Sequence, residues 1–358
     1  MGLGDRPGQV VVLERPRRRA GVFGPGPAPR ALSEPARRRP GHPWYRPSPC
    51  DEGGGQGVAD LGPAVPLGPS PSPSLSLVVS TVGRVDALAQ LLDSLSASSA
   101  TGRFELVLVD QSDDGACTAL LEGRSLPFRW QATTSERGLS RGRNAGARLA
   151  RGDHVGFPDD DCWYAPDTIE RVLARVDAAP SLAALSGRAL GADGRPCLLR
   201  WLDRPCRVTP RNYYRTTIAI TLFLRRSLLE EVGGFDVALG AGSTGWFGSG
   251  EESDLVLRLL AAGHEISYDP SISVYHPETR DVPTPGYVEK MLRYGAGQGH
   301  LWRVHHASPS QVAYLLGRKL GGAALRRARG QGARSRADLA YVRGCIAGLR
   351  DVPPRELR

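Results

Sequence analysis

Three consecutive aspartates, Asp159, Asp160 and Asp161, end a short apolar run in the stretch VGFPDDDCWY. Like charges crowded at one strand end repel each other, so the pattern calls for a cation to offset them. Carboxylate oxygens are hard ligands, and they favour Mg2+ or Mn2+ held together with substrate phosphates. A plainer use of the aspartates is to cap the following helix, APDTIERVLARV, but Asp167 could do that with far less charge. Two other apolar runs also end in polar groups: Ser80 and Thr81 after LSLVV, and Asp110 and Gln111 after FELVLV. In open α/β sheets ligands sit beyond the carboxyl ends of the strands, where such groups can converge on one crevice.

The elements that would position these groups alternate. LSLVVS is an apolar run between turn signals, and Leu88, Leu91, Leu92 and Leu95 then fall on one helical face. FELVLVD reads as a strand buried on both faces. A helix end, the stop at Gly152 and a further strand precede the aspartates. LAALSGRA and TIAITLFLRR read as strands, and EESDLVLRLLAAGHEISYDP as a helix ending near Gly263 followed by a strand. This order predicts a layered α/β fold on a mostly parallel sheet. From about residue 286 the chain reads as helical, basic and dotted with glycine. Three regions are expected: an extension over 1–74, a folded domain over 75–285 and a helical region over 286–358.

Composition agrees with that division. An apolar content of 41% supports a sizeable core. Residues 1–74 hold 15 of the 29 prolines, too proline-rich to bury a core, and are expected to be disordered. Six cysteines without a C-x-x-C spacing suggest reduced thiols in a cytoplasm. Neither a secretory leader nor an apolar run long enough to span a bilayer is recognised. The net charge of +9 is uneven: residues 286–358 carry 14 basic and 4 acidic residues, while residues 75–285 carry 22 and 27. Few aromatics accompany the tail arginines, so no nucleic-acid partner is expected. Val312, Leu315, Leu316, Leu320 and Leu325 are read as one helical face flanked by Arg318, Lys319, Arg326, Arg327 and Arg329. This suits peripheral contact with an anionic membrane, on the inner face of the cell membrane, or packing against the folded domain.

LSLVVSTVGR, FELVLVDQSDDG, RGLSRGRNAGARLARGDHVGFPDDD and VGGFDVALGAGSTGWFGSGEESDLVLRLLAAGHEISYDPSISVYHPE resemble, in order, the successive blocks of family 2 glycosyltransferases. The resemblance covers roughly residues 75–280. It implies the GT-A fold, a nucleotide-diphosphate sugar as donor and a typically inverting transfer to a hydroxyl on a polysaccharide or lipid-linked glycan. By position, Asp159 and Asp161 form the D-x-D motif that holds the metal and the nearby ribose, with His276 as a further metal ligand and Asp160 outside the ligand set. Ser80, Asp110 and Gln111 stand near the nucleoside; the family often has two acidic residues where this chain has Asp110 and Gln111, and an amide can read a base edge through donor and acceptor. Arg143 is the arginine expected at a phosphate. Glu252 stands where the family's base is usually aspartate, with Glu251 and Asp254 as alternatives, although acidic residues also simply favour a helix N-terminus. Asp236 and Trp246 are expected to contact the acceptor, Trp246 from a glycine-rich loop, 240–250, of the kind that often acts as a lid.

Two other functions fit parts of the pattern. A non-catalytic nucleotide-sugar-binding protein could use the same fold, although both acidic motifs are intact. The stretch GLSRG fits a nucleophile elbow with Ser140 as the nucleophile of a hydrolase, with Asp236 or Asp254 and His276 completing a triad. That reading needs an apolar strand before the serine, where QATTSER looks polar and strand-poor, and it leaves the aspartates without a use.

Overall fold

The structure, a computed structural model, describes residues 72–277 and 284–357. Apart from residues 72–74, the expected extension over 1–74 lies outside the described residues. The chain opens with β1 (Leu75–Thr81), α1 (Val85–Ser96), β2 (Phe104–Asp110), α2 (Ala116–Glu122), β3 (Arg129–Thr134), α3 (Leu139–Leu149) and β4 (His154–Gly156). It continues through β5 (Trp163–Tyr164), α4 (Thr168–Ala178), β6 (Ala184–Leu190), β7 (Cys206–Arg207), β8 (Leu222–Arg225), α5 (Arg226–Glu231), α6 (Glu251–Ala261) and β9 (Ile266–Tyr275).

The strands form one sheet in the order β3-β2-β1-β4-β8-β6-β9-β5, with β7 on β9. β1 to β4, β6 and β9 run one way, while β5, β7 and β8 run the other. Every residue of β2 is buried, Glu105 included, as its mostly apolar run predicts. The chain leads outward from β1 to β3, then returns to place β4 on the other side of β1. Right-handed crossovers therefore put α1 and α2 on one face of the sheet and α3 on the other. The reversal opens a crevice beyond the ends of β1 and β4, where both strands are followed by polar groups. β3 corrects the reading of the segment before Ser140 as strand-poor: Arg129–Thr134 pairs with β2 in parallel at the edge of the sheet, with Trp130, Gln131 and Ala132 buried between exposed ends.

α3 lies hard against the sheet. A Cβ on Gly142 would stand 2.0 Å from Ser80 Oγ, and one on Gly146 would stand 2.4 Å from Val78 Cγ1. Only glycine permits that approach, which carries the next residue, Arg143, deep into the crevice.

Three helices follow: α7 (Pro285–Val304), α8 (Pro309–Ala328) and α9 (Gly332–Arg350). α7 and α9 pack backbone to backbone. A Cβ on Gly295 would stand 2.0 Å from the Tyr341 carbonyl, and one on Gly299 the same distance from that of Cys345. Gly344 and Gly348 stand likewise against Leu292 and Ala296, so the two helices run parallel in a fixed register. α7 also holds the loop ahead of α6: Gly248 N donates to the Arg293 carbonyl at 3.1 Å and Ser249 Oγ to that of Tyr294 at 3.0 Å. The five apolar residues of α8 do not share one face. At about 100° per residue they spread round much of the helix. Val312, Leu315 and Leu316 are half-buried, whereas Leu320 and Leu325 are exposed, together with Tyr314.

The two helical settings of glycine predict opposite responses to one substitution. Gly317, on exposed α8, has nothing within 4 Å of a would-be Cβ. Gly317→Ala should stabilise the fold by about 0.5–1 kcal/mol through helix propensity. Gly344→Ala should destabilise it by roughly 1–3 kcal/mol, because α7 and α9 must part. Denaturant melts of the two variants, compared with the parent chain, check the signs.

Candidate active site

The aspartates, a histidine and the acidic start of α6 meet at the carboxyl ends of the strands. β5 pairs with β9 so that Trp163 faces Tyr275, their rings stacked at 5.7 Å, and this brings Asp161 to His276. One ligand atom from each of Asp159, Asp161 and His276 lies within 4.8 Å of the others. His276 Nδ1 is 2.7 Å from the Pro277 carbonyl, to which it can only donate, so in the neutral ring Nε2 keeps its lone pair. That Nε2 lies 3.4 Å from Asp161 Oδ1, a buried oxygen with no hydrogen-bond partner among the described residues. Two lone pairs facing each other need a proton or a cation between them. A mixed nitrogen and oxygen donor set suits a divalent ion such as Mn2+, so these residues fit the metal that their types suggested.

Two arginines offset the triple aspartate. Asp160 is buried, accepts from Thr81 Oγ1 at 2.6 Å and is paired with Arg84. Arg84 Nη1 also reaches Asp161 at 2.6 Å. Burial raises the Asp160 pKa, against the opposing pull of Thr81 and Arg84. Burial would also raise that of Asp161, but His276 and Arg84 outweigh it and the net shift is downward. Asp167, thought able to cap α4, stands at its N-cap but makes no side-chain cap bond; its carboxylate accepts from Arg171 instead.

The second arginine is Arg143, buried on the inner face of α3. It donates to Asp159 Oδ1 and to Glu251 Oε1, each at 3.0 Å. Its guanidinium also lies 5.5 Å from the centre of the Phe235 ring. The arginine expected at a phosphate thus spans two carboxylates and ties the aspartates to the start of α6.

Among the three acidic residues of α6, geometry separates the roles. Glu251 is buried and held by Arg143. Asp254 accepts from Arg258 at 2.7 Å and lies 2.8 Å from His305 Nε2, joining α6 to the end of α7. Burial would raise its pKa, but the His305 and Arg258 contacts lower it. Glu252 remains partly exposed, and its pKa is pushed up to about 8, first by burial and then by the neighbouring Glu251 charge.

The residues expected near the nucleoside are largely occupied. Asp110 accepts from Ser112 N and Oγ and from Thr118 N and Oγ1, closing the turn into α2. Gln111 Nε2 donates to Ser135 Oγ and to the carbonyls of Glu136 and Gly138, pinning the loop ahead of α3. Ser80 Oγ is buried with no hydrogen-bond partner among the described residues. Asn144 grips Phe235 from both sides, donating to its carbonyl and accepting from its N–H at 2.8 Å each, which places Asp236 exposed beside the crevice. Trp246 packs on Phe247 with ring centres 4.4 Å apart, and Phe247 is buried among Leu239, Ala296 and Leu301. The glycine-rich loop is therefore anchored to α7 through Phe247, while Trp246 stays partly exposed. Ser140 is buried and donates to the Leu239 carbonyl at 2.8 Å, and His276 faces Asp161 rather than a serine, so no triad forms around Ser140.

Sequence reasoning missed Arg84. It stands at the N-cap of α1, where a cation is disfavoured by the helix dipole, and that mismatch was the available signal of nearby carboxylates.

Removing Arg143 leaves Asp159 and buried Glu251 without their shared partner. Arg143→Met should cost about 3 kcal/mol of stability. Adding Glu251→Gln should recover part of that loss. Denaturant melts of the single and double variants measure both effects.

A family model described as Glycosyl transferase family 2 matches residues 76–230. The succinoglycan biosynthesis protein ExoO of Rhizobium meliloti (strain 1021) is 27% identical over 220 residues, 57% of this chain and 61% of its own. The pre-mycofactocin glycosyltransferase of Mycobacterium tuberculosis (strain CDC 1551 / Oshkosh) is 25% identical over 267 residues, 71% of this chain and 52% of its own. The chain thus spans less than two thirds of the length of these relatives. Among solved structures, the mannosyltransferase PcManGT from Pyrobaculum calidifontis, in complex with GDP-Man and Mn2+, is similar in fold with a TM-score of 0.54 at 18% identity, over 78% of this chain and 88% of its own. Residues 76–230 thus match glycosyltransferase family 2, and the fold around them is similar to the GT-A fold.

Proposed function

We propose that the chain transfers a sugar from a nucleotide-diphosphate sugar to an acceptor hydroxyl, with inversion, using a divalent metal at Asp159, Asp161 and His276. The observation that carries the reading is the Arg143 bridge: one buried guanidinium joins Asp159, on the metal side, to Glu251, next to the candidate base. When bound, the metal supplies positive charge to the departing diphosphate. Glu252 takes the proton of the acceptor hydroxyl as its oxygen bonds to the anomeric carbon. The bond from that carbon to the diphosphate breaks on the opposite face, and the diphosphate leaves with the electron pair. A carboxylate poised near neutral pH suits this work better than Glu251 or Asp254, which are held in ion pairs. Asp236 and Trp246, both accessible beside the crevice, would meet the acceptor, and Ser80 would offer its unpaired hydroxyl to the donor. The likeness to a succinoglycan biosynthesis protein supports a growing polysaccharide or a lipid-linked glycan as acceptor.

Glu252→Gln should lower turnover by ~10²–10⁴-fold while leaving donor affinity nearly unchanged. In the parent chain the rate at low substrate should rise about tenfold per pH unit below the Glu252 pKa of about 8, then level off. Stability moves the other way. A carboxyl with a raised folded-state pKa stabilises fully below its ordinary value of 4.5, and that contribution is lost as pH rises through about 8. The glutamine variant should lack this loss. Transfer assays and melts across pH 5–9 (roughly the window spanned by these values) test both. Near-parental turnover in the variant would move the base elsewhere.

A cytoplasmic, peripheral position on an anionic membrane completes the proposal. Tyr314, Leu320 and Leu325 are exposed on α8, and no residue of 309–328 is acidic. Lys319 and Arg326 are paired with Asp338, whereas Arg318, Arg327 and Arg329 lie exposed. A basic helix with exposed apolar side chains can lie in the bilayer interface, and among the described residues no helix is long and apolar enough to cross it. The full chain should sediment with phosphatidylglycerol vesicles at low salt and be released at high salt. Tyr314→Ser with Leu320→Gln and Leu325→Gln should stay in the supernatant. Equal sedimentation of the two would overturn this surface as the contact, and a shift in oligomeric state alone would assign it to a second copy of the chain.

A further inference from the structure

Arg84 reaches into the metal site from the loop between β1 and α1. Its Nη1 lies 2.6 Å from Asp161 Oδ2, and its Nε lies 3.1 Å from Asp160 Oδ2. Asp161 offers the site its carboxylate, whereas Asp160, which also takes the Thr81 hydroxyl, does not belong to the group of metal-ligating atoms. The Arg84 side chain is 53% exposed, so it borders open solvent on the side away from the aspartates. One guanidinium therefore has a buried anchor, Asp160, and a second contact with a carboxylate that a metal would also claim.

We infer that Arg84 is a built-in counter-ion of the metal site: it competes with the metal for Asp161 and, on yielding, remains tethered to Asp160 as a cation beside the incoming diphosphate. The inference rests on Asp159, Asp161 and His276 being the metal ligands. Three observations lead to it. The guanidinium and a divalent ion would share Asp161, and a unit charge close to a dication repels it. Helix α1 itself gives Arg84 no reason to sit at its N-terminus, where the backbone dipole favours anions. The anchor is separate from the contested contact, because Asp160 is buried and already holds Arg84 through Nε and Nη2. Breaking the Asp161 contact therefore need not release the side chain. A donor diphosphate brought to the metal would then supply the anion that Asp161 no longer provides, so metal and donor would each favour the other's binding.

The test uses Mn2+ alone, measured by titration calorimetry on the full chain. Arg84→Gln keeps a donor for Asp160 and removes the charge. It should bind Mn2+ about tenfold more tightly than the parent, the scale expected when a unit charge is taken from about 5 Å of a dication in a water-like dielectric. Arg84→Lys, which keeps the charge without the fork, should stay within about threefold of the parent. A gain in affinity is not an outcome that loosening of the fold would produce, and melts of both variants confirm that they are folded. Unchanged or weaker Mn2+ binding by Arg84→Gln, with a parent that binds Mn2+ and an Asp161→Ala chain that does not, would overturn the role of Arg84 and leave the metal site standing. Absence of binding by the parent itself would overturn both.

Discussion

The buried guanidinium of Arg143 is the contact on which the site's shape depends. It has Asp159 on one side and Glu251 on the other, and these residues belong to segments more than ninety positions apart in the chain. A buried arginine between two carboxylates is tolerated only when its charge is answered on both sides, and each carboxylate depends on the same cation. The bridge therefore fixes the distance between the aspartate cluster and the start of α6. Much of the nearby fold serves it. Gly142 and Gly146 let α3 sink against β1, Phe235 covers the guanidinium, and Asn144 grips the backbone of Phe235.

The electrostatic layout follows from how few cations answer so many acids. Asp159, Asp160, Asp161, Glu251, Glu252 and Asp254 gather around the crevice and the first turn of α6. Arg143 takes two of them, Arg84 takes two, and Arg258 with His305 takes Asp254. Among the described residues Glu252 is the acid of this group without an ion pair, and its proton affinity rises to a pKa of about 8. Its position in the first turn of α6 favours the anion, while burial and Glu251 oppose it, and the opposition prevails. The helix that carries the acids is braced from behind by α7, so the region after 285 contributes to the site's support as well as to the outer surface.

Much of the fold was legible because burial is written into residue type. FELVLVD became a fully buried strand, and Leu88, Leu91, Leu92 and Leu95 became the inner face of α1. β3 was not legible in this way, because its buried stretch includes a polar Gln131 and its two ends, Arg129 and Thr134, are exposed. The aspartates and His276 were picked out as ligands, and the structure brings their atoms together. Their exclusive pairings were not legible, since they depend on which arginine reaches which carboxylate. Of five arginines between 137 and 151, Arg143 alone is buried, and what separates it from the others is the glycine on its N-terminal side.

The α7–α9 contact shows the same limit from the opposite direction. Glycines four apart, Gly295 with Gly299 and Gly344 with Gly348, belong to the tail read as helical and dotted with glycine. In isolation each of them lowers helix propensity. Paired across two parallel helices, the missing side chains let backbones meet, and each glycine's cost in one helix becomes a contact with the other. Gly317 and Gly321 on α8 carry the same propensity cost with no neighbour to meet. Sequence spacing alone does not distinguish the two cases, because Gly317 and Gly321 are also four apart. What differs is the presence of a matching pair on a second helix, which is a property of the assembled fold. That packing in turn sets where α7 stands behind α6, so glycines that cost helix propensity in the tail help to hold the acidic residues at the crevice.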